Sequence, residues 1–318
     1  MCWRADGMAS LATRFCGIDL AHPVLNGSGT LDALHSGPLG VSAFVTKTVT
    51  LQPRAGNPPP RMGETPAGMV NSIGLANPGL DAFCEHHLPE LADLGVPVIV
   101  SVGGFAPQEY ATAVRRLGDS PAVAAIELNV SCPNVDSGCI SIGTDTGETR
   151  ALLERCRAET DRPLLAKLSP SVADIAAIAL AAAEGGAHGL VLINTLRGMA
   201  IDRATLTPLL GGGGGGLSGP AVKPVALHAI YHARAATGLP VAGLGGISTA
   251  QDCVEFAAAG ADVVAVGTAL FRDPALVAAI TAELPGVLDR YGVSSFEDVV
   301  GWAHRGETKA LLEVESNG

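Results

Sequence analysis

The segment Ala125-Ile-Glu-Leu-Asn-Val-Ser-Cys-Pro-Asn134 alternates side-chain character with a period of two. That is the period of a strand, so Glu127, Asn129 and Ser131 share one face while Leu128 and Val130 take the other. The apolar pair suits packing on helices. The polar run leads into Cys132-Pro133-Asn134 and gives the strand a carboxyl end that can carry chemistry. Lys167 repeats the device, because it follows Leu165 on one face of Leu164 to Leu168 and puts an ammonium at the end of an otherwise apolar strand.

Working outward, short β-branched runs followed by turn residues and then helical periodicity recur eight times. The expected strands are His22 to Asn26, Ala43 to Val49, Val98 to Val102, Ala125 to Ser131, Leu164 to Leu168, Gly189 to Asn194, Val241 to Gly245 and Val263 to Gly267. Between them lie helical stretches such as Val172 to Ala183 and the i, i+3, i+4 set Leu227, Ile230 and Tyr231. Strand and helix alternate, which predicts a parallel sheet. Eight units with no sign of edge strands predict an α/β fold of the TIM type, an eight-stranded parallel β/α barrel.

The length of 318 residues suits one such barrel with insertions, and no composition shift marks a boundary, so residues 1–318 read as a single domain. Residues 1–15 read as a poorly ordered N-terminal extension. The tract Gly211 to Gly216 reads as a flexible loop over the barrel mouth, or equally as a disordered surface loop. Charged residues make up 16%, below the usual ~25%, which marks a well-buried globular chain. A net charge of −11 argues against general attraction to nucleic acid or anionic membrane. With no apolar run of ~18 residues and no secretory h-region, the chain reads as cytoplasmic. The seven cysteines are odd in number and lack a C-x-x-C pair, so they suggest neither a disulfide framework nor a zinc site.

In this fold chemistry gathers at the carboxyl ends of the strands. Those ends read Thr46-Lys47-Thr48, Asn129 to Asn134, Lys167-Leu-Ser169, Asn194-Thr195, Gly245-Gly246 and Gly267-Thr268. Any one polar residue there could be a strand cap or a turn former; agreement across six ends points to a site. The glycine turns after strands seven and eight suit a phosphate, with Gly215-Gly-Leu-Ser-Gly219 as a further source of donors. Asn71, Asn129, Asn134 and Asn194 supply amides that can read a ring of alternating N–H and C=O groups. Lys47 can pair with a carboxylate or a flavin oxygen, and Lys167 can stabilise charge developing on a reduced cofactor. Cys132, alone among the cysteines at a strand end, can serve as a base once deprotonated.

These segments resemble the class 1 dihydroorotate dehydrogenases, most closely the B-type. The resemblance rests on Asn26-Gly-Ser-Gly-Thr30, Thr46-Lys-Thr48, Pro53-Arg-Ala-Gly-Asn-Pro58, Asn71-Ser-Ile-Gly-Leu-Ala-Asn-Pro-Gly79, Glu127 to Val135, Lys167-Leu-Ser-Pro170, Ile193-Asn-Thr195, Gly215 to Pro220, Gly243 to Ile247 and Val266-Gly-Thr268. It implies an FMN-containing barrel that oxidises (S)-dihydroorotate to orotate in pyrimidine biosynthesis. Cys132 would be the base. Lys47, Asn71, Ile73, Gly74, Leu75, Asn129, Asn134, Asn194 and Thr195 would surround the substrate. Ser28, Lys47, Thr48, Asn129, Lys167, Ile193, Gly219, Gly245, Gly246, Gly267 and Thr268 would hold FMN.

The B-type resemblance also implies a homodimer joined by a partner subunit that carries FAD and an iron-sulfur cluster and passes electrons to NAD. Ser101 departs from the pattern, standing where the family commonly has an asparagine near the flavin. Two alternatives stay open. One is a paralogue acting on another dihydropyrimidine, like the pyrimidine-reducing domain of dihydropyrimidine dehydrogenase. The other is a non-catalytic flavin- or phosphate-binding barrel.

Overall fold

The computed structural model describes residues 9–32, 40–131 and 142–306. An antiparallel hairpin comes first, β1 (Thr13–Phe15) and β2 (Ile18–Leu20). Next are β3 (Val24–Asn26), β4 (Phe44–Val45), β5 (Met62–Thr65), β6 (Gly68–Asn71), β7 (Val98–Val102), β8 (Ala125–Asn129) and β9 (Leu164–Lys167). The series ends with β10 (Gly189–Leu192), β11 (Leu196–Gly198), β12 (Gly215–Ser218), β13 (Val241–Leu244) and β14 (Val263–Val266).

Eight of these form one parallel sheet in the order β3-β14-β13-β10-β9-β8-β7-β4, and each contains or lies within one of the expected runs. The sheet closes through one backbone bond, the Ser42 amide donating to the Val24 carbonyl at 3.2 Å, and through a side chain. Asn26 accepts from the Val45 amide at 2.9 Å and donates to the Val45 carbonyl at 2.8 Å, standing in for a rung between β3 and β4. The second strand is shorter than expected, because the chain leaves the ladder after Val45 and returns at Val49, which bridges Val102. Lys47 and Thr48 are thereby presented at the barrel mouth.

Alternation sorts the side chains of these strands. Leu25, Val45, Ile99, Ala125, Leu165, Val191, Ala242 and Ala265 pack together inside the barrel. Leu128, Val130, Leu164, Leu190, Val264 and their neighbours face the surrounding helices, which include Pro107–Gly118, Ile175–Glu184, Lys223–Thr237 and Ala250–Ala259. The expected helix from Val172 starts at Ile175, where the Asp174 carboxylate caps it by accepting from the Ala177 amide.

Two expectations change. Residues 9–15 are not a loose extension: Phe15 is 1% exposed and joins Leu20 in the interior cluster, so the hairpin plugs the barrel's amino end. Its turn, Cys16-Gly17, has positive φ at both residues, the conformation a two-residue hairpin requires. The Gly211 to Gly216 tract is likewise not all flexible loop. Gly215 and Gly216 begin β12, the centre of a four-stranded antiparallel sheet ordered β11-β12-β6-β5. A Cβ at Gly215 would collide with the Asn71 carbonyl oxygen, and one at Gly216 with the Thr195 hydroxyl, so glycine serves close strand approach here. Among the described residues no helix is long and apolar enough to cross a membrane.

Candidate active site

A cavity of about 950 Å³ opens at the carboxyl ends of the barrel strands. Every described candidate lines it: Ser28, Lys47, Thr48, Asn71, Ile73, Gly74, Leu75, Asn129, Lys167, Ile193, Asn194, Thr195, Gly219, Gly245, Gly246, Gly267 and Thr268. Cys132 and Asn134 lie outside the described residues.

The floor is a hydrogen-bonded polar layer. Asn129 Nδ2 donates to Thr48 Oγ1 at 3.0 Å, and Thr48 Oγ1 lies 3.0 Å from Ser101 Oγ. Ser101 Oγ donates to Glu127 Oε1 at 2.9 Å, and Lys167 Nζ stands 3.5 Å from the same oxygen. On the other side of Asn129, Asn194 Nδ2 donates to Asn129 Oδ1 at 3.2 Å and to Ser131 Oγ at 2.9 Å. The Tyr110 hydroxyl donates to the Asn129 carbonyl at 2.9 Å and fixes the end of β8. The layer survives burial because its members largely satisfy one another. Ser101, fully buried, belongs to this layer and does not line the cavity.

One wall is the antiparallel sheet, through Met62, Glu64, Met69, Asn71, Leu217 and Ser218. Lys47 stands exposed at the mouth beneath it. Burial and then the nearby Arg61 cation hold the Lys47 ammonium below the ordinary lysine range. The sequence reading missed this wall, since β5 and β6 carry glycine, methionine and glutamate rather than a β-branched alternation.

The opposite wall is built from backbone. Gly245 (φ 129°) and Gly246 (φ 90°) adopt conformations that favour glycine, and a Cβ at Gly246 would press to 2.9 Å from the Gly219 carbonyl oxygen. Behind this turn Asp252 Oδ2 accepts from the amides of Ser248 and Thr249 at 2.8 and 2.9 Å. Its Oδ1 meets Lys223, which also pairs with Glu255 at 2.7 Å. Burial alone would raise the Asp252 pKa, but donation from Lys223, Ser248 and Thr249 outweighs it and holds the carboxyl below its usual range. The spacing Thr249-x-x-Asp252 is a capping-box signature that could have revealed this support.

The described cysteines are Cys16, Cys84, Cys156 and Cys253. Burial, then Asp262, pushes the Cys16 thiol up to about 12; burial, then Glu159, does the same to Cys156. Neither is suited to give a thiolate at neutral pH.

Comparison with known proteins agrees with this architecture. The structure of DHODH in complex with ferulenol from Eimeria tenella superposes with a TM-score of 0.79 at 22% identity, covering 96% of this chain and 91% of that one, which bears on the fold alone. A dihydroorotate dehydrogenase B (NAD(+)) catalytic subunit from Desulforudis audaxviator is 50% identical over 299 residues, 92% of this chain and 97% of that protein. Proteins of the same description from Listeria monocytogenes and Pelobacter propionicus are each 44% identical, covering 92% of this chain and 98% and 97% of theirs. The family model for dihydroorotate dehydrogenase matches residues 10–288, and the chain belongs to that family.

Proposed function

We propose that this chain is the catalytic subunit of an NAD-linked dihydroorotate dehydrogenase, oxidising (S)-dihydroorotate to orotate in pyrimidine biosynthesis with FMN as cofactor and Cys132 as base. The observation that carries the reading is one continuous cavity joining a cation and amides (Lys47, Asn71, Asn129, Asn194) to a glycine-walled backbone cradle (Gly219, Gly245, Gly246, Gly267). At about 950 Å³ it lies near the top of the ~300–1,000 Å³ range of ligand pockets, room for a flat cofactor and a small ring together.

The residues present fit FMN. Cβ-free turns at Gly245 and Gly246 permit close approach of a phosphate, and Lys167, with a side chain 6% exposed, lines the cavity from its floor. Ser28, Thr48, Ile193 and Thr268 complete the cofactor's surroundings. When bound, FMN supplies the two-electron acceptor for hydride. The protein's part is geometry and proton handling. Lys47 meets the substrate carboxylate as a charge-assisted partner, while Asn71, Asn129, Asn134 and Asn194 read the ring's amide edges, with Ile73, Gly74, Leu75 and Thr195 around it. The Cys132 thiolate takes the proton from one ring carbon as hydride leaves its neighbour. Ser131, buried and tied to Asn194, supports a base at the next residue by anchoring the strand end.

Relatives described as catalytic subunits support a partner subunit; the family resemblance extends the reading to FAD and an iron-sulfur cluster on that partner and a cytoplasmic homodimer of this chain. Anaerobic titration tests the reading. FMN-loaded protein should bleach with dihydroorotate and not with dihydrouracil, whose ring lacks the carboxylate that Lys47 meets. Reduction by dihydrouracil alone would move the substrate assignment to another dihydropyrimidine, and failure to take up FMN would overturn the cofactor. Cys132→Ala should keep its flavin yet reduce it about 10²- to 10⁴-fold more slowly at neutral pH, the usual contribution of a general base. An unchanged rate would remove the cysteine from the mechanism.

A further inference from the structure

Glu127 has no part in the contacts proposed above, yet it is the buried acid of the polar layer, 2% exposed. It sits on the inward face of β8, two residues below Asn129, where the packed apolar interior gives way to the polar floor. Side-chain exposure is 3% for Glu127 and 6% for Lys167. Its Oε1 accepts from Ser101 and faces the Lys167 ammonium at 3.5 Å, longer than the ~2.7–2.9 Å of a tight charged hydrogen bond. Its Oε2 accepts no hydrogen bond among the described residues, and the residue borders a void of about 10 Å³, the size of one water. The carboxylate is therefore only partly compensated.

We propose that Glu127 acts through Lys167: in this buried ion pair its charge partly offsets the ammonium that Lys167 brings to the cavity floor, and the pair sets how readily a flavin in the cavity accepts electrons. A buried carboxylate is costly, and an apolar residue would fill the same space more cheaply. Ser101 and Thr48 hold the carboxylate's orientation and link it to Asn129. With little water between them, both charges act strongly on a group gaining negative charge, Lys167 favouring reduction and Glu127 opposing it.

The inference rests on the FMN reading, and the experiment separates the two. FMN content of wild type, Glu127→Gln, Glu127→Asp and Lys167→Gln is measured by absorbance, followed by the anaerobic midpoint potential of each loaded protein. Glu127→Gln should move the two-electron equilibrium about tenfold toward reduced flavin, ~30 mV more positive. Lys167→Gln should move it the opposite way. Glu127→Asp, with the charge kept but drawn back by one methylene, should fall between wild type and Glu127→Gln. A loaded Glu127→Gln protein at the wild-type potential, or shifted in the same direction as Lys167→Gln, overturns the inference alone. If Glu127→Gln does not fold, Glu127→Asp at the wild-type potential does the same. A wild-type chain that takes up no FMN overturns the cofactor reading and this inference with it.

Discussion

The two halves of the barrel interior stand on the same strands and are filled in opposite ways. Toward the amino end, Leu25, Val45, Ile99, Leu165 and Val191 close around Phe15 and Leu20 of the plugging hairpin. Toward the carboxyl end, Thr48, Glu127, Asn129 and Lys167 stand in a layer bonded largely within itself, with a cavity above it. The change takes two residues: Leu165 belongs to the first half and Lys167 to the second. Each end also carries an antiparallel element, with opposite results. The β1–β2 hairpin inserts an aromatic side chain and leaves room for no more than about one water, whereas the β5–β6–β12–β11 sheet stands aside as a wall. Stability and binding are thus separated along one axis.

That separation can be broken by experiment. Phe15→Ala should have the largest effect, destabilising the chain by about 3–5 kcal/mol in urea unfolding through the cavity left behind. FMN uptake below the unfolding transition should be unchanged; loss of uptake there would show that the plug also shapes the site.

Lys47→Met should do the reverse. Loss of a hydrogen bond to a charged group, about 1.5–3 kcal/mol, should lower kcat/KM for dihydroorotate by about ten- to a hundredfold, with stability within ~0.5 kcal/mol of wild type as for most surface changes. Steady-state kinetics beside denaturation decides it, and an unchanged kcat/KM for dihydroorotate would remove Lys47 from carboxylate recognition.

Asp252→Asn should have the smallest effect, about 1 kcal/mol of stability at neutral pH, together with weaker FMN retention. Its folded pKa lies below the ordinary range, so its contribution is present above the unfolded value of ~3.9 and is lost as pH falls through the lower folded value. The gap between wild type and variant should therefore close in acid. A constant gap would assign the effect to packing rather than charge.

Much of the site was legible because strand period and strand end are local properties. Glu127, Asn129 and Ser131 fall on one face by alternation alone, and six polar strand ends converge once eight parallel strands close. The antiparallel wall was not legible. Met62–Thr65 and Gly68–Asn71 have weak strand character, and Gly215 and Gly216 look like flexible chain until their partners are known. The N-terminal hairpin was hidden for a related reason, since Cys16-Gly17 lacks the usual Asn-Gly turn signal.

The eight strands, their parallel arrangement and the polar residues at their ends follow from spacing within short windows of sequence. The meeting of Glu127 with Lys167, the contact of Asn26 with Val45 across the sheet's closure and the place of a glycine tract at the centre of a wall emerge in the folded chain alone. Those contacts join residues 19 to 145 positions apart, and their energy depends on burial and partner geometry that exist only once the barrel has closed.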